Sequence, residues 1–401
     1  MTQLPLPIKK SVSLAWQGMA LTFDVAQDLF SSYQVDRGSR LLLESLEGPQ
    51  APPVGEAADF GCGYGVLGIA WQAAHPGWAM TYVDRDALAV AFSRHNLARI
   101  VSSAESKAAF VRDIALPYKE DGYDLVLWNV PGKAGRPVIV GLLDAVLDQL
   151  AVGGVVAAVV VHPLAELFTD GMTRDDMVVT NVTRGADHTV VHIRRERGQP
   201  VARDPFEEGV FDRPATDFEV EGLAWRLTPV IGLPEYDSLD HSTALAARAM
   251  LSIRDDTAVA RWMVVEPGAG HLALAASQLW PAATGRVYGR DALAIRTTVR
   301  AIDGAVPLRA GSIWALEERI DRDTVDLLVA RLPEQAQQEE LGGMLASFSE
   351  VLAPSGTAVL HGRSTEVARI DRLIRKQPGW TSRRPAKLRG FACMVARYSV
   401  P

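Results

Sequence analysis

The chain contains its own plan twice. Val35-Asp36-Arg37-Gly38-Ser39, Ala58-Asp59-Phe60-Gly61-Cys62-Gly63, Tyr82-Val83-Asp84-Arg85-Asp86-Ala87 and Tyr123-Asp124-Leu125-Val126-Leu127-Trp128-Asn129-Val130-Pro131 occur in that order in the first half. In the second half Leu239-Asp240-His241-Ser242-Thr243, Val265-Glu266-Pro267-Gly268-Ala269-Gly270, Tyr288-Gly289-Arg290-Asp291-Ala292 and Val325-Asp326-Leu327-Leu328-Val329-Ala330-Arg331-Leu332-Pro333 follow at a nearly constant offset. A tandem duplication of this kind builds two like domains, since each copy carries a full set of elements. With 401 residues the chain is long enough for two cores. The polar, proline-containing stretch Arg197–Pro214 joins the copies, which places the domains at 1–200 and 201–401.

Within each copy, short β-branched runs alternate with helix-length amphipathic segments. Thr81–Val83, Leu125–Trp128 and Val155–Val161 read as strands, Ala87–Arg99 and Val138–Leu150 as helices. Such alternation predicts an α/β fold: a mostly parallel sheet with helices on both faces, in two tandem Rossmann-like domains. Each copy closes on a hairpin-like pair, Met177–Thr183 with His188–Arg194 and Trp380–Arg383 with Phe391–Tyr398. Ligands on such sheets bind at the carboxyl ends of the strands, where strand order reverses.

The glycine-rich stretch Asp59-Phe60-Gly61-Cys62-Gly63-Tyr64-Gly65-Val66-Leu67-Gly68 sits where a strand turns into a helix. Glycines there allow positive φ and close approach of backbone to a ligand. Asp84 ends the next strand, with a carboxylate able to accept both hydroxyls of a ribose. Gly63, Gly65 and Gly68 with Asp84 satisfy the dinucleotide fingerprint, so NAD is one reading. Three features favour S-adenosylmethionine. Asp59 can receive the amino group of that cofactor, directly or through water, and would repel a pyrophosphate. Asp113 follows the third strand, suited to an adenine amino group. Asn129-Val130-Pro131 ends the fourth strand, where a methyltransferase presents a substrate amine; Asn129 and Pro131 are the catalytic candidates.

Together these residues resemble the class I methyltransferases of the small-domain type, and within them the tandem-domain ribosomal RNA guanine-N2 methyltransferases. The likeness begins at Leu21-Thr22-Phe23, Leu29-Phe30-Ser31 and Val35–Leu43, similar to the family's lead-in, which closes over the cofactor and brings Ser39 to it. It continues through Asp59–Gly68, Asp84, Asp113 and Asn129–Gly135. The resemblance implies a seven-stranded sheet in each half, methyl transfer from S-adenosylmethionine bound by Ser39, Asp59, Gly61, Gly63, Tyr64, Asp84, Asp113 and Asn129, and ribosomal RNA or a ribosomal subunit as partner. One half is then catalytic and the other a degenerate copy that helps hold RNA. Two departures stand out. The family places its catalytic copy second, whereas here the intact copy is first. Its Asn-Pro-Pro-aromatic signature reads Asn129-Val130-Pro131-Gly132, without the aromatic. Another group must hold the base, Tyr33 or Trp128, unless the acceptor is a protein or small molecule. Lys133 is placed to meet a phosphate.

In the second copy Gly289 stands for Asp84, Ala310 or Gly311 for Asp113, and Arg331 for Asn129. That half keeps a fold without its chemistry, so one cofactor per chain is expected. A non-catalytic RNA-binding protein is a further alternative for the whole chain. The stretch Arg369–Arg389 is rich in cations, with Arg383, Arg384 and Lys387 the candidate RNA contacts, Trp380 interleaved for stacking, and Arg194, Arg195 and Arg197 as a possible extension. The chain as a whole is acidic, with a net charge of −7, which argues against a surface built throughout to grip nucleic acid. The 48% apolar content with 22% charged residues is that of a globular protein. His188 and His192 lack a third ligand, so no metal is expected. Two cysteines, no long apolar run and no leader point to the cytoplasm and no membrane. A tandem chain supplies its own pseudo-dimer, so a monomer is expected.

Overall fold

The computed structural model describes residues 6–47, 51–101, 107–170, 174–302, 308–311, 324–336 and 338–399. The chain divides between Phe211 and Asp212 into two compact units.

The first unit opens with a hairpin, β1 (Lys10–Trp16) and β2 (Met19–Val25), then α1 (Arg37–Ser45). The main sheet and its helices follow as β3 (Glu56–Phe60), α2 (Val66–Ala74), β4 (Ala79–Asp84), α3 (Ala87–Ile100), β5 (Lys107–Arg112), β6 (Tyr123–Asn129), α4 (Arg136–Asp148), β7 (Leu150–Val161), β8 (Met177–Arg184) and β9 (His188–Arg195). Strand order is β5-β4-β3-β6-β7-β9-β8. The strands from β5 to β7 pair in parallel, and β9 runs antiparallel to both its neighbours. Sequence order reverses direction between β3 and β6, so a crevice opens at their carboxyl ends. Strand β3 is buried almost without interruption, as expected of a parallel strand covered on both faces. Trp128, Tyr82, Tyr123, Phe92 and Phe168 are among the largest fully buried side chains; truncating one such aromatic to alanine costs about 3–5 kcal/mol.

The second unit repeats the scheme: β10 (Thr216–Val220), β11 (Leu223–Leu227), α5 (His241–Ile253), β12 (Arg261–Val265), α6 (His271–Leu279), β13 (Thr284–Tyr288), α7 (Ala292–Ala301), β14 (Leu308–Gly311), β15 (Val325–Arg331), α8 (Gln338–Val351), β16 (Leu352–Arg363), α9 (Ser364–Ile374), β17 (Trp380–Ser382), β18 (Ala386–Leu388) and β19 (Phe391–Tyr398). Its order, β14-β13-β12-β15-β16-β19-β17, is that of the first unit, with β18 also paired to β19. The position filled by β8 in the first unit is thus shared by two short strands, which brings this sheet to eight. Register bears out the internal match at Asp84 and Asn129 but sets Gly311 against Val111 and not Asp113, since Tyr288 pairs with Gly311 as Val83 pairs with Val111. The counterpart of Asp113 falls outside the described residues. Phe60 pairs with Val83 and Trp128, as Val265 pairs with Tyr288 and Ala330. Asp84 therefore corresponds to Gly289 and Asn129 to Arg331.

Three further expectations need correction. The helix expected at Val138–Leu150 spans Arg136–Asp148, because Leu150 pairs with Tyr123 and the Gln149 carbonyl accepts from the Tyr123 N–H at 2.8 Å. Strand pairing wins there over helix continuation. Trp128 is core, packed against Phe60 and Phe168 at ring distances of 5.5 and 5.8 Å, and cannot clamp a base. Trp380 is also buried, with its indole N–H donating to Ser349 Oγ at 2.9 Å, so it offers no ring for stacking. Trp71 on α2 and Trp78 just after it pack edge to face at a ring distance of 5.3 Å. Among the described residues no helix is long and apolar enough to cross a membrane, and no cluster of metal-ligating side chains occurs.

Candidate active site

The turn after β3 is shaped by its glycines. Gly61, Gly63 and Gly65 have φ of 73°, 55° and 90°. A Cβ at Gly61 or Gly63 would meet nothing within 4 Å, so the turn faces open space. The N–H groups of Gly61 and Cys62 donate to the Val83 carbonyl at 2.8 and 3.0 Å, tying the turn to β4. Gly65 then caps α2 in the left-handed region. Asp59 is buried beneath, and its Oδ2 accepts from the Gly68 N–H at 2.8 Å. Burial pushes its carboxyl up to about 7. A Cβ on Gly68 would come within 2.6 Å of the Tyr82 ring and 3.0 Å of Asp59, so only glycine lets α2 settle this close to the strands.

Asp84, at the end of β4, closes the turn from the other side. Its Oδ2 accepts from the Gly63 N–H and its Oδ1 from the Asp86 N–H, both at 2.9 Å. Burial raises the carboxyl to about 6, against the lowering effect of those hydrogen bonds. The Asp113 N–H, just past β5, donates to the Asp84 carbonyl at 3.1 Å, which sets Asp113 next to the end of β4. Asp84 and Asp113 thus line the carboxyl end of the sheet beside an open, glycine-shaped turn.

Helix α1 begins over the neighbouring strand ends. Asp36 is its N-cap, and Oδ2 of Asp36 accepts from the Ser39 N–H at 3.1 Å. A Cβ at Gly38 would lie 2.8 Å from that carboxylate, 3.1 Å from His188 and 3.2 Å from Val159, so the glycine permits the close seat. Asn129, the last residue of β6, donates its amide nitrogen to Asp36 Oδ2 at 3.1 Å and to Ser39 Oγ at 3.0 Å. With both amide hydrogens bound, Oδ1 of Asn129 remains as an acceptor. Pro131 is exposed and opens a turn closed by the Ala134 N–H on its carbonyl at 2.9 Å. Gly132 has negative φ and room for a side chain, since an added Cβ would meet Val161 at 3.5 Å and Leu164 at 3.8 Å. Lys133 is exposed with no carboxylate partner among the described residues.

The first hairpin, Ser93 and Asn96 escaped the sequence reading. Hairpin β1–β2 turns on Gln17-Gly18, both at positive φ, and covers the site from one side. The Phe23 ring lies 5.9 Å from that of Tyr64, which is buried. Asn96 on α3 exchanges two hydrogen bonds with the Asp24 backbone, at 2.8 and 2.9 Å, and donates to the Tyr64 carbonyl at 2.9 Å. Ser93, one turn earlier, donates to the Gly63 carbonyl at 3.0 Å. The strict alternation of Lys10–Trp16 was the available signal for the hairpin. A buried Ser and Asn three apart on a helix carry no signal until the helix is placed.

The matching place in the second unit is filled by its own side chains. Arg331 donates to Thr243 at 2.8 Å and pairs with Asp240 at 2.9 Å and with Glu235. Asp240 caps α5 as Asp36 caps α1. Burial would raise its carboxyl, but Arg331 and the helix N–H of Thr243 prevail and hold it at about 2. Glu266 replaces Gly61 at φ 56°. One of its oxygens accepts from the Arg290 N–H at 3.0 Å; the other lies 3.4 Å from where a Cβ on Gly289 would sit. A carboxylate reaching from the turn thus occupies the space that Asp84 fills in the first unit.

The candidate RNA cations divide. Arg195 is buried and donates to the carbonyls of Asp148, Leu150, Arg197 and Gln199. Arg194 pairs with Glu196, Arg197 with Asp175. Arg195 thus holds the fold and is not a surface contact, while Arg194 and Arg197 stay exposed, each with a carboxylate beside it. Arg383, Arg384, Lys387 and Arg389 are exposed and have no carboxylate partner among the described residues.

Residues 20–175 match the methyltransferase small domain family. Over 111 residues the chain is 38% identical to ribosomal RNA large subunit methyltransferase G of Alcanivorax borkumensis, covering 27% of each. Over 70 residues it is 50% identical to ribosomal RNA small subunit methyltransferase C of Pseudomonas aeruginosa, covering 18% of this chain and 20% of that one. These matches span about a quarter or less of the relatives' lengths. Among solved structures, the T. thermophilus 16S rRNA N2 methyltransferase in complex with AdoMet and guanosine superimposes over 98% of this chain and 99% of that one. The TM-score is 0.63 at 15% identity, a likeness of fold.

Proposed function

We propose that this chain, whose residues 20–175 match the methyltransferase small domain family, carries a methyl group from S-adenosylmethionine to an exocyclic amino group of guanine in ribosomal RNA. S-adenosylmethionine supplies an electrophilic methyl on a cationic sulfur. The residues at the turn suit it: Asp84 offers acceptors to ribose hydroxyls, and Asp113 to an adenine amino group. Gly61 and Gly63 leave the turn uncovered, and the acids around it favour a cation over a pyrophosphate.

One observation carries the reading. Asn129 is held by Asp36 and Ser39 through its amide hydrogens, which leaves its oxygen as an acceptor on a fixed side chain at the end of β6. An acceptor there binds an amine hydrogen and leaves the nitrogen lone pair aimed at the methyl. Orientation of that kind supplies roughly 7–11 kcal/mol of a displacement barrier. The first unit is the catalytic domain and the second a degenerate copy; exposed Arg383, Arg384, Lys387 and Arg389 give that copy an RNA-holding face, and Lys133 meets a phosphate beside the target. The open space at Gly132, where a clamping ring would fit, favours a protein or small-molecule acceptor as the second reading.

Incubation of the chain with methyl-labelled S-adenosylmethionine and either naked ribosomal RNA or ribosomal subunits, followed by nucleoside analysis, tests this. Label in N2-methylguanosine is expected, lost in Asn129→Ala while S-adenosylhomocysteine still binds. Label in protein alone, or full turnover by Asn129→Ala, contradicts it.

A further inference from the structure

The segment between β2 and α1 presents two exposed aromatic rings. Phe30 is 70% and Tyr33 74% exposed. Single exposed rings are ordinary, but this pair is held outward by a built loop. Leu29 and Ser32 are buried between and beside them. Ser31 takes φ 57° and its hydroxyl donates to the Gln34 carbonyl at 2.6 Å. Ser32 donates to the Gln27 carbonyl at 3.3 Å. The chain thus alternates Leu29 in, Phe30 out, Ser32 in, Tyr33 out.

Two lysines converge on the same ring. The ammonium groups of Lys9 and Lys10 lie 4.9 and 4.7 Å from the centroid of Tyr33, and Lys10 also donates to the Tyr33 carbonyl at 2.7 Å. Neither has a carboxylate partner among the described residues. Two like charges gathered on one ring repel each other, and an anion between them relieves this. Three residues of chain, at most about 11 Å, separate Tyr33 from Asp36, and Asp36 holds Asn129. Rings for stacking and adjacency to the acceptor amide belong to one short segment, and two cations from the start of the first hairpin reach it.

We propose that Phe30 and Tyr33, with Lys9 and Lys10, form a platform for single-stranded RNA nucleotides next to the methylated base. It takes over in part the grip that an aromatic at Gly132 would give. This rests on the function proposed above and adds which surface receives the strand. Stacking on an aromatic face tolerates any base, and the two ammonium groups bind the backbone.

The test is fluorescence anisotropy of the full chain with a labelled single-stranded RNA oligonucleotide across a salt series, alongside calorimetry with S-adenosylhomocysteine. Phe30→Leu with Tyr33→Leu keeps apolar bulk but removes both π faces; RNA affinity should fall about tenfold or more. Tyr33→Phe should bind as the parent does. Lys9→Ala with Lys10→Ala should lower the slope of log affinity against log salt by about 1.4. Circular dichroism reports the folding of every variant, and Tyr33→Phe and the lysine variant should keep the parent's affinity for S-adenosylhomocysteine. If the leucine variant binds RNA like the parent while the parent methylates ribosomal RNA, the platform is wrong and the function stands. If the parent binds S-adenosylhomocysteine but no RNA, both fail.

Discussion

The amide nitrogen of Asn129 lies 3.1 Å from the carboxylate of Asp36, the residue that caps helix α1. One carboxylate thereby starts a helix and orients a side chain that is 93 residues away in sequence. The second unit keeps the cap, Asp240, but puts Arg331 where Asn129 stands, and the contact becomes an ion pair. A group that presents an acceptor has been exchanged for one that fills the space.

Asp36→Ala should therefore do two separable things. Loss of the cap costs about 1 kcal/mol of stability, read by chemical denaturation. Release of Asn129 should lower kcat by up to about a hundredfold, the cost of a small misplacement at a reacting centre, while S-adenosylhomocysteine affinity holds. A variant with lost stability and full kcat would mean that Asn129 needs no tether.

The raised carboxyl of Asp84 sets a pH dependence. Above about pH 6 it is ionised and both oxygens accept; below, a proton converts an acceptor into a donor. Cofactor affinity should fall as pH drops through that value, by up to about tenfold per unit. Calorimetry with S-adenosylhomocysteine over a pH series reads this, and Asp84→Asn should flatten the curve at the weak level. A parent curve level from pH 7 to 5 would contradict the assignment.

In the second unit, Arg331→Asn should not restore a site. It strips the cation from Glu235, whose side chain is only 6% exposed, and from Asp240. The expected loss is about 2–3 kcal/mol, below that of a fully buried pair because Arg331 keeps some solvent. Scanning calorimetry should show a lowered transition, with methyl transfer intact. An unchanged transition would mean the ion pairs contribute nothing.

Much of this architecture was legible in the sequence, since duplication, strand–helix alternation and the glycine turn are local patterns. Asp84, Asn129 and their lost counterparts Gly289 and Arg331 could be placed by register alone. What was hidden depends on three-dimensional neighbours. Asp59 and Asp84 are the same residue type, yet one is bonded beneath α2 and the other closes the turn. Trp128 and Trp380 read as stacking groups because the sequence does not tell whether an aromatic ring points inward or outward. The plug made by Glu266 over Gly289 required knowing that a side chain from one strand end reaches across another.

The central claim is that only the first unit holds the methyl donor. Titration calorimetry of the full chain with S-adenosylhomocysteine tests it most directly. One binding site per chain is predicted, weakened about a hundredfold or more by Asp84→Ala as two charge-assisted hydrogen bonds are lost. Two sites, or one that survives Asp84→Ala undiminished, would contradict it.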